Sequence, residues 1–322
     1  MTVRLADGIR FELADGRTVV ADANDPDGDV SLLSHAHGDH LYDRPPATVV
    51  ASDLTLDLAA VRRDGDRPER IDLDWIEALP AGHVPGSRAF RIDADRRYLY
   101  TGDCSIRERF GWPGFDPPSA AVLVIESTYG EPAYRFPPQA AVEAEIIDWL
   151  EDTMDRPVIL LGYALGRAQE LIELAERAGR AQIRYTPAID AINEVIAEDR
   201  GRPFPGGPRR EFQPGAGDAL ILPAQTGSLS FLEELREDGA ELAGFSGWAI
   251  DSGYRFARDL DVAFPLSDHC DFEELLSVVE AVSPEQVYTV HGFVDELATE
   301  ITSRLGIDAR ALKRGQRTLS EF

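Results

Sequence analysis

The chain has 322 residues, 43% of them hydrophobic, and a formal net charge of -26 from 58 acidic against 32 basic side chains. That length admits one large domain or two modest ones with a substantial core. No apolar stretch approaches the roughly 20 residues of a membrane span, and residues 1–17 lack the apolar run of a signal peptide, so a cytoplasmic protein is expected. So negative a charge ordinarily disfavours a polyanionic partner. Lys313, however, is the only lysine. An acid-rich, lysine-poor chain suits a cytoplasm at molar salt, where the Debye length falls to about 3 Å. The acidity is therefore read as a halophilic adaptation rather than as a clue to the substrate. Two cysteines, Cys104 and Cys270, are too few for a disulfide framework.

Two Asp-Gly pairs, Asp7-Gly8 and Asp15-Gly16, interrupt alternating apolar stretches, so the chain is expected to open as a β-meander. Short strands bounded by turn residues or charge are expected at 30–34, 48–51, 89–92, 97–101 and 121–126, with few helices before residue 130. Beyond residue 138 the pattern changes. Helical periodicity at 140–152, a buried strand at 157–162 and helices at 167–178 and 189–198 predict a βαβ-type subdomain. Residues 201–217, rich in Gly and Pro, read as an exposed loop. Its Arg202, Arg209 and Arg210 are either solvated or placed for backbone phosphates. A strand at 219–222, a helix at 229–238 and a strand-helix-strand-helix series complete the chain.

The run His35-Ala-His37-Gly-Asp39-His40 follows directly on the strand at 30–34. Four candidate ligands within six residues converge only if the backbone folds tightly, which Gly38 is expected to allow. Imidazole together with carboxylate suits zinc and its neighbours in the first transition series. The remaining histidines fall in similar settings. His83 sits in the small-residue turn Ala81-Gly-His-Val-Pro-Gly86, His269 in Leu266-Ser-Asp-His-Cys-Asp271, and His291 just after a strand at 286–290. Asp103 follows the strand at 97–101 in Thr-Gly-Asp. Histidines serving only the core would not gather at strand ends beside glycine and aspartate.

Glu126 closes the apolar run Ala-Val-Leu-Val-Ile, where a carboxylate is rarely left without a partner. The turn Leu160-Leu-Gly-Tyr-Ala-Leu-Gly166 leads into a helix whose first N–H groups favour phosphate, with Arg167 as a further contact. Ser127 and Thr128 either bind phosphate likewise or cap a turn. Cys104 and Cys270 each follow a site candidate directly. Adjacent side chains on a strand point to opposite faces, so both read as buried small hydrophobes rather than soft ligands.

In order and spacing, HAHGDH, AGHVPGS and YTGDCS resemble the motifs of the metallo-β-lactamase superfamily, and Asp22 in Val-Val-Ala-Asp matches the structural aspartate that precedes them. The run Ile125-Glu-Ser-Thr-Tyr-Gly130, SDHCD and VHG resemble the signatures of its β-CASP nucleic-acid-processing branch. The phrases STYGEPAYRFP, YALGRAQEL, FSGWA and PLSDHCDF are most similar to ligase-associated DNA exonucleases and to archaeal homologues of messenger RNA 3′-end processing factors. The resemblance covers nearly the whole chain. It implies an α/β fold: a metallo-β-lactamase αββα sandwich at 1–130 and 265–322, interrupted by an inserted β-CASP α/β subdomain at 131–264.

It also implies that His35, His37 and His83 bind one divalent ion, that Asp39, His40 and His291 bind a second, and that Asp103 bridges them. Zinc is the first choice of metal and manganese the second. Asp39 and Asp103 thereby join the catalytic set, and His269, oriented by Glu126, would protonate the leaving alkoxide. The implied function is hydrolysis of nucleic acid phosphodiesters from an end, in repair or processing, beside a DNA ligase or RNA-processing factors. His291, a histidine as in RNA-processing members, weighs toward RNA, while the phrase-level likeness weighs slightly more toward DNA. A small-molecule metallo-hydrolase and an inactive scaffold subunit are the alternatives. The long insertion and the Glu126/His269 pair speak against the first, and the full ligand set against the second.

Overall fold

Both Asp-Gly pairs turn the chain where expected, with Gly8 at φ +78° and Gly16 at φ +90°, a region that glycine enters without a Cβ penalty. In the computed structural model, which describes residues 2–209, 213–228 and 230–314, these turns join β1 (Thr2–Ala6), β2 (Gly8–Glu12) and β3 (Thr18–Ala21) into an antiparallel meander. The meander stops there. β4 (Val30–Leu32) lies parallel to β3, because the excursion at 22–29 is long enough to carry the chain back to the starting end of the sheet.

A parallel pair, β5 (Thr48–Val49) and β6 (Glu69–Arg70), flanks α1 (Asp53–Arg63). Ser52 caps this helix by accepting the Thr55 N–H at 3.0 Å. The alternation Leu54, Leu56, Leu58 masks the helical period in the sequence. Next come β7 (Ile76–Pro80), β8 (Arg88–Asp93), β9 (Arg97–Tyr100) and β10 (Val122–Glu126). The middle of the chain contains α2 (Gln139–Asp152), β11 (Val158–Gly162), α3 (Arg167–Arg177), β12 (Gln182–Tyr185), α4 (Pro187–Arg200), β13 (Gly207–Pro208) and β14 (Asp218–Pro223). It continues through α5 (Ser230–Glu237), β15 (Glu241–Phe245), α6 (Tyr254–Ala257) and β16 (Val262–Phe264). The last elements are α7 (Phe272–Val282), β17 (Gln286–Val290), α8 (Val294–Leu305) and β18 (Asp308–Ala311).

Contacts divide the chain into two compact units, with breaks at Ala133/Tyr134 and Asp268/His269. In the first unit β1–β4 form one sheet, and a second has the order β18-β17-β10-β9-β8-β7, parallel from β18 to β9 and antiparallel beyond. The period-2 alternation of strands decides the layers. Val122 and Val124 of β10, Tyr98 and Tyr100 of β9, and Phe90 and Ile92 of β8 face Ile9, Phe11, Val19 and Leu32 of the other sheet. Leu123, Ile125, Leu99 and Ala89 face the opposite way, onto Phe272, Leu275 and Val279 of α7 and Leu297 and Ile301 of α8. β10 is thus buried on both sides, as a central strand of a covered parallel sheet must be.

The second unit is a six-stranded sheet of order β13-β12-β14-β11-β15-β16, parallel throughout. It is the βαβ arrangement expected from the alternating helix and strand patterns. Ile159, Leu161, Leu220 and Leu222 pack on Leu232 and Leu235 of α5. The other side carries α3, whose residues from Arg167 to Ala175 are all buried. Among the described residues no helix is long and apolar enough to cross a membrane.

Truncating Leu123, fully buried in β10, should cost about 2–5 kcal/mol, the usual range for Leu→Ala in a packed core. Urea denaturation of Leu123→Ala against the parent chain measures it, and a loss well under that range would show that this strand is not central to the core.

Candidate metal centre

β3 ends at Ala21, and the next residue, Asp22, turns out of the strand at φ 51°. Its carboxylate collects four donors. Oδ1 accepts the Ser34 N–H at 2.7 Å, and Oδ2 accepts the Ser34 hydroxyl at 2.5 Å, His40 Nδ1 at 2.8 Å and the Tyr100 hydroxyl at 2.7 Å. These bonds settle two tautomers. A carboxylate only accepts, so His40 carries its proton on Nδ1 and turns Nε2 to the cluster. The Ser34 hydroxyl spends its single proton on Asp22, so at 2.9 Å from His35 Nδ1 it accepts, and His35 presents a bare Nε2.

Nitrogens of three rings converge on Asp103. His35, His40 and His83 bring Nε2 to 3.6, 3.4 and 3.7 Å from Asp103 Oδ2. His37 Nδ1 lies 3.1 Å from His83 Nε2, and its ring centroid is 4.8 Å from that of His35. Ligand atoms from His35, His37, His83 and Asp103 all fall within 4.8 Å of one another. His35 Nε2 is buried with no hydrogen-bond partner, a condition that costs about 1–3 kcal/mol in a polar group unless something fills it. Three imidazoles and a carboxylate with an orphaned lone pair at their centre fit a transition-metal ion.

Electrostatics agree with that fit. Burial, reinforced by His40 and His83, holds the His35 imidazole well below the ordinary histidine range, so it stays neutral and able to ligate. Burial would also lower His40, but Asp103 and Asp22 outweigh it and raise that ring well above the ordinary value. Asp103, despite a burial that would raise it, is driven well below the carboxylate range, by His40 first and then by His269 and His35. Burial and Asp22 push the Tyr100 hydroxyl up, so it remains a donor.

Asp39 and His291 stand further out. Both are exposed, and with His40 they line a small cleft, the His40 and His291 rings 5.4 Å apart. Their ligand atoms do not form a group as tight as that around His35. His291 has φ 60°, a left-handed backbone just beyond β17. His269 Nδ1 faces both oxygens of the fully buried Glu126, at 3.0 and 2.9 Å, and Glu126 also accepts the Cys104 N–H at 2.7 Å. The His269 ring lies 4.5 Å from that of His83.

Several sequence expectations need correction. Gly38 has open space where a Cβ would stand and no left-handed φ. The tight turn closes instead because the His40 and Leu41 N–H groups both donate to the His37 carbonyl at 3.1 Å. Ser127 is fully buried, its hydroxyl donating to the carbonyls of Val290 and His291, so it ties β10 to the end of β17 rather than meeting a phosphate. Arg167 is 1% exposed and pairs with Glu170 at 3.2 Å and Asp268 at 3.1 Å, an internal ion pair of the second unit. Thr128 is half-buried. Arg202 pairs with Glu173, Arg209 stacks over Phe231, and Arg210 lies outside the described residues. Cys104 and Cys270 are both fully buried, their sulfurs 4.0 Å apart. Sequence reasoning missed Ser34, Tyr100, Arg107 and Arg109, which bond to backbone or to Asp22 from distant segments and carry no local pattern.

Comparison with known proteins adds to this geometry. Residues 262–312 match the Zn-dependent metallo-hydrolase RNA specificity domain. The chain is 34% identical over 298 residues, 88% of its length, to a protein of Opitutus terrae named probable DNA ligase, of which it spans 28%. It is 28% identical over 45% of its length to an RNase J-like protein of Methanocaldococcus jannaschii, spanning 42% of that protein. It is 22% identical over 80% of its length to the DNA cross-link repair protein SNM1 of Arabidopsis thaliana, spanning 59% of it. The chain thus covers less than two thirds of each of these relatives.

Replacing the Asp22 carboxylate by an amide removes its charge and one of its two acceptor oxygens, so Ser34, His40 and Tyr100 can no longer all donate to it. Zinc affinity of Asp22→Asn should fall about 10–100-fold, the usual cost of losing a group that orients metal ligands. Competition with a chromogenic chelator measures this, and unchanged affinity would show that the ligands hold their places without Asp22.

Proposed function

We propose that this chain, a member of the β-CASP branch of the metallo-β-lactamase superfamily, is a two-metal nuclease that hydrolyses phosphodiester bonds in nucleic acid. One juxtaposition carries the reading. The cluster of His35, His37, His83 and Asp103, with its orphaned imidazole nitrogen, stands beside the Glu126–His269 couple. Ligands for a phosphodiester-binding ion and a donor for the leaving oxygen are the two parts that this hydrolysis needs.

In this reading His35, His37 and His83 hold one ion, Asp39, His40 and His291 hold the second, and Asp103 serves both. Zinc suits an imidazole-rich set, and manganese is the second choice. When bound, the ions supply charge neutralisation at the phosphodiester and activation of the attacking water. His269 gives a proton from Nε2 to the departing oxygen, while Glu126, held to Nδ1 through both oxygens, orients the ring. The segment at 131–264 is read as the β-CASP insertion and contributes to the choice of substrate.

Action on DNA ends in partnership with a ligase is favoured by the name of the O. terrae relative, which is matched along most of this chain. The matched RNA specificity domain and the RNase J-like relative support RNA processing as the second reading. In this reading the acid-rich chain works in a cytoplasm of high salt, where screening removes long-range repulsion from a polyanion.

Asp39→Ala and His83→Ala should abolish cleavage and lower metal content, as read by end-labelled oligonucleotide assay and elemental analysis. Full activity in either would remove that residue from the site. His269→Ala should slow cleavage about 10²–10⁴-fold, the range for a lost general acid, with metal content unchanged. Loss of an equivalent of metal would make His269 a ligand instead. End-labelled single-stranded DNA and RNA, each with 5′-phosphate or 5′-hydroxyl, offered at molar salt with zinc or manganese, test the substrate. Stepwise shortening of DNA is the expected result, and preferential cleavage of RNA would establish the second reading.

A further inference from the structure

The segment between β9 and β10 contains two arginines, Arg107 and Arg109, that reach back to the backbone of two different histidine segments. We propose that they are positioning residues: Arg109 braces the metal-binding His83, and Arg107 braces the proton-donating His269. The inference deepens the nuclease reading and rests on it.

Arg109 is 2% exposed, and its Nη2 donates to the carbonyl of Gly82 at 2.8 Å and to that of His83. Those carbonyls belong to the turn that presents the His83 ring. The turn leans on the same segment elsewhere, through the Ser105 N–H on the Ala81 carbonyl at 2.9 Å. A side chain at Gly82, which has φ +72°, would run into the Ser105 carbonyl. Arg109 is itself held by a reciprocal backbone pair with Trp112, at 3.1 and 2.8 Å. A guanidinium is always charged and forked, so it can grip neighbouring carbonyls at any working pH.

Arg107 does the equivalent for the other histidine. Its Nη2 donates to the His269 carbonyl at 2.6 Å, and its Nε donates to Glu274 Oε2 at 3.1 Å. Glu274 in turn accepts the Asp271 N–H at 2.9 Å in the capping box of α7. The His269 peptide is therefore tied to a helix start, and its ring is left facing Glu126. Two positions apart in one segment, the arginines set the spacing between His83 and His269, whose rings are 4.5 Å apart. That spacing governs where the donor stands relative to the phosphodiester, and small displacements of a catalytic group are costly in rate.

The test uses Arg107→Ala, Arg109→Ala and the corresponding lysine variants of the full chain. Zinc affinity, thermal melting, and kcat and KM are measured on an oligonucleotide and on bis(p-nitrophenyl) phosphate, whose leaving group departs without a proton. Arg109→Ala should weaken zinc binding about 10–100-fold and depress both activities together, with recovery in excess zinc. Arg107→Ala should retain zinc affinity and KM, lower kcat on the oligonucleotide about 10²-fold, and leave turnover of the activated ester near that of the parent. Lysine, which supplies one charged donor, should recover part of each loss. Equal falls on both substrates that merely track a lowered melting temperature in all variants would overturn the inference, as would unchanged zinc affinity in Arg109→Ala. An inactive parent chain would instead defeat the nuclease reading, while the zinc titration of Arg109→Ala would still decide the brace.

Discussion

A carboxylate taken out of water must be given back its hydrogen bonds, and Asp22 receives four. The donors come from both sheets of the first unit. Ser34 and His40 follow β4, while Tyr100 belongs to β9. One side chain therefore pins the edge at which the two sheets meet the histidine turn, and it does so while choosing the tautomers of His35 and His40. Remove the acceptor and the Ser34 hydroxyl is free to donate to His35, which would turn that ring's lone pair away from Asp103. The cluster's chemistry hangs on that single proton inventory.

The same cluster shows how location splits like groups. His35 and His40 stand with ring centroids 4.1 Å apart, yet burial with neighbouring imidazoles lowers one while two carboxylates raise the other. Two rings in van der Waals reach thus differ in charge because their polar neighbours differ. Glu126 and His269 form a separate couple anchored in β10 and just ahead of α7, and the central strand that carries Glu126 is common to both hydrophobic layers. The acid is thereby fixed by packing rather than by its own hydrogen bonds alone.

How much of this could be seen in the sequence follows from how local each signal is. The Asp-Gly turns, the strands ending at the histidine run and at Glu126, and the alternating helices and strands beyond residue 138 are all local patterns, and the structure has them. So is the gathering of His35, His37, His83 and Asp103, because each follows a strand end in a turn of small residues. The misreadings have the opposite origin. Whether Arg167 or Ser127 faces solvent depends on segments far away in the chain, and both are internal. The parallel placement of β4 depends on where an irregular excursion returns. α1 went unseen because its leucines alternate like those of a strand. Arg107 and Arg109 were invisible because their partners are carbonyl groups, which every residue possesses.

Asp22 and His291 share an unusual feature: both adopt left-handed backbone without being glycine. Aspartate and histidine are among the few side chains that tolerate this region, and others store roughly 1–3 kcal/mol of strain there. Each position is therefore filtered twice, once by conformation and once by chemistry. Glycine would relax the chain but abolish the functional group, whereas most polar replacements would keep a heteroatom and distort the peptide. Substitution at these two points is therefore narrowed by backbone as well as by chemistry, although His291 is exposed.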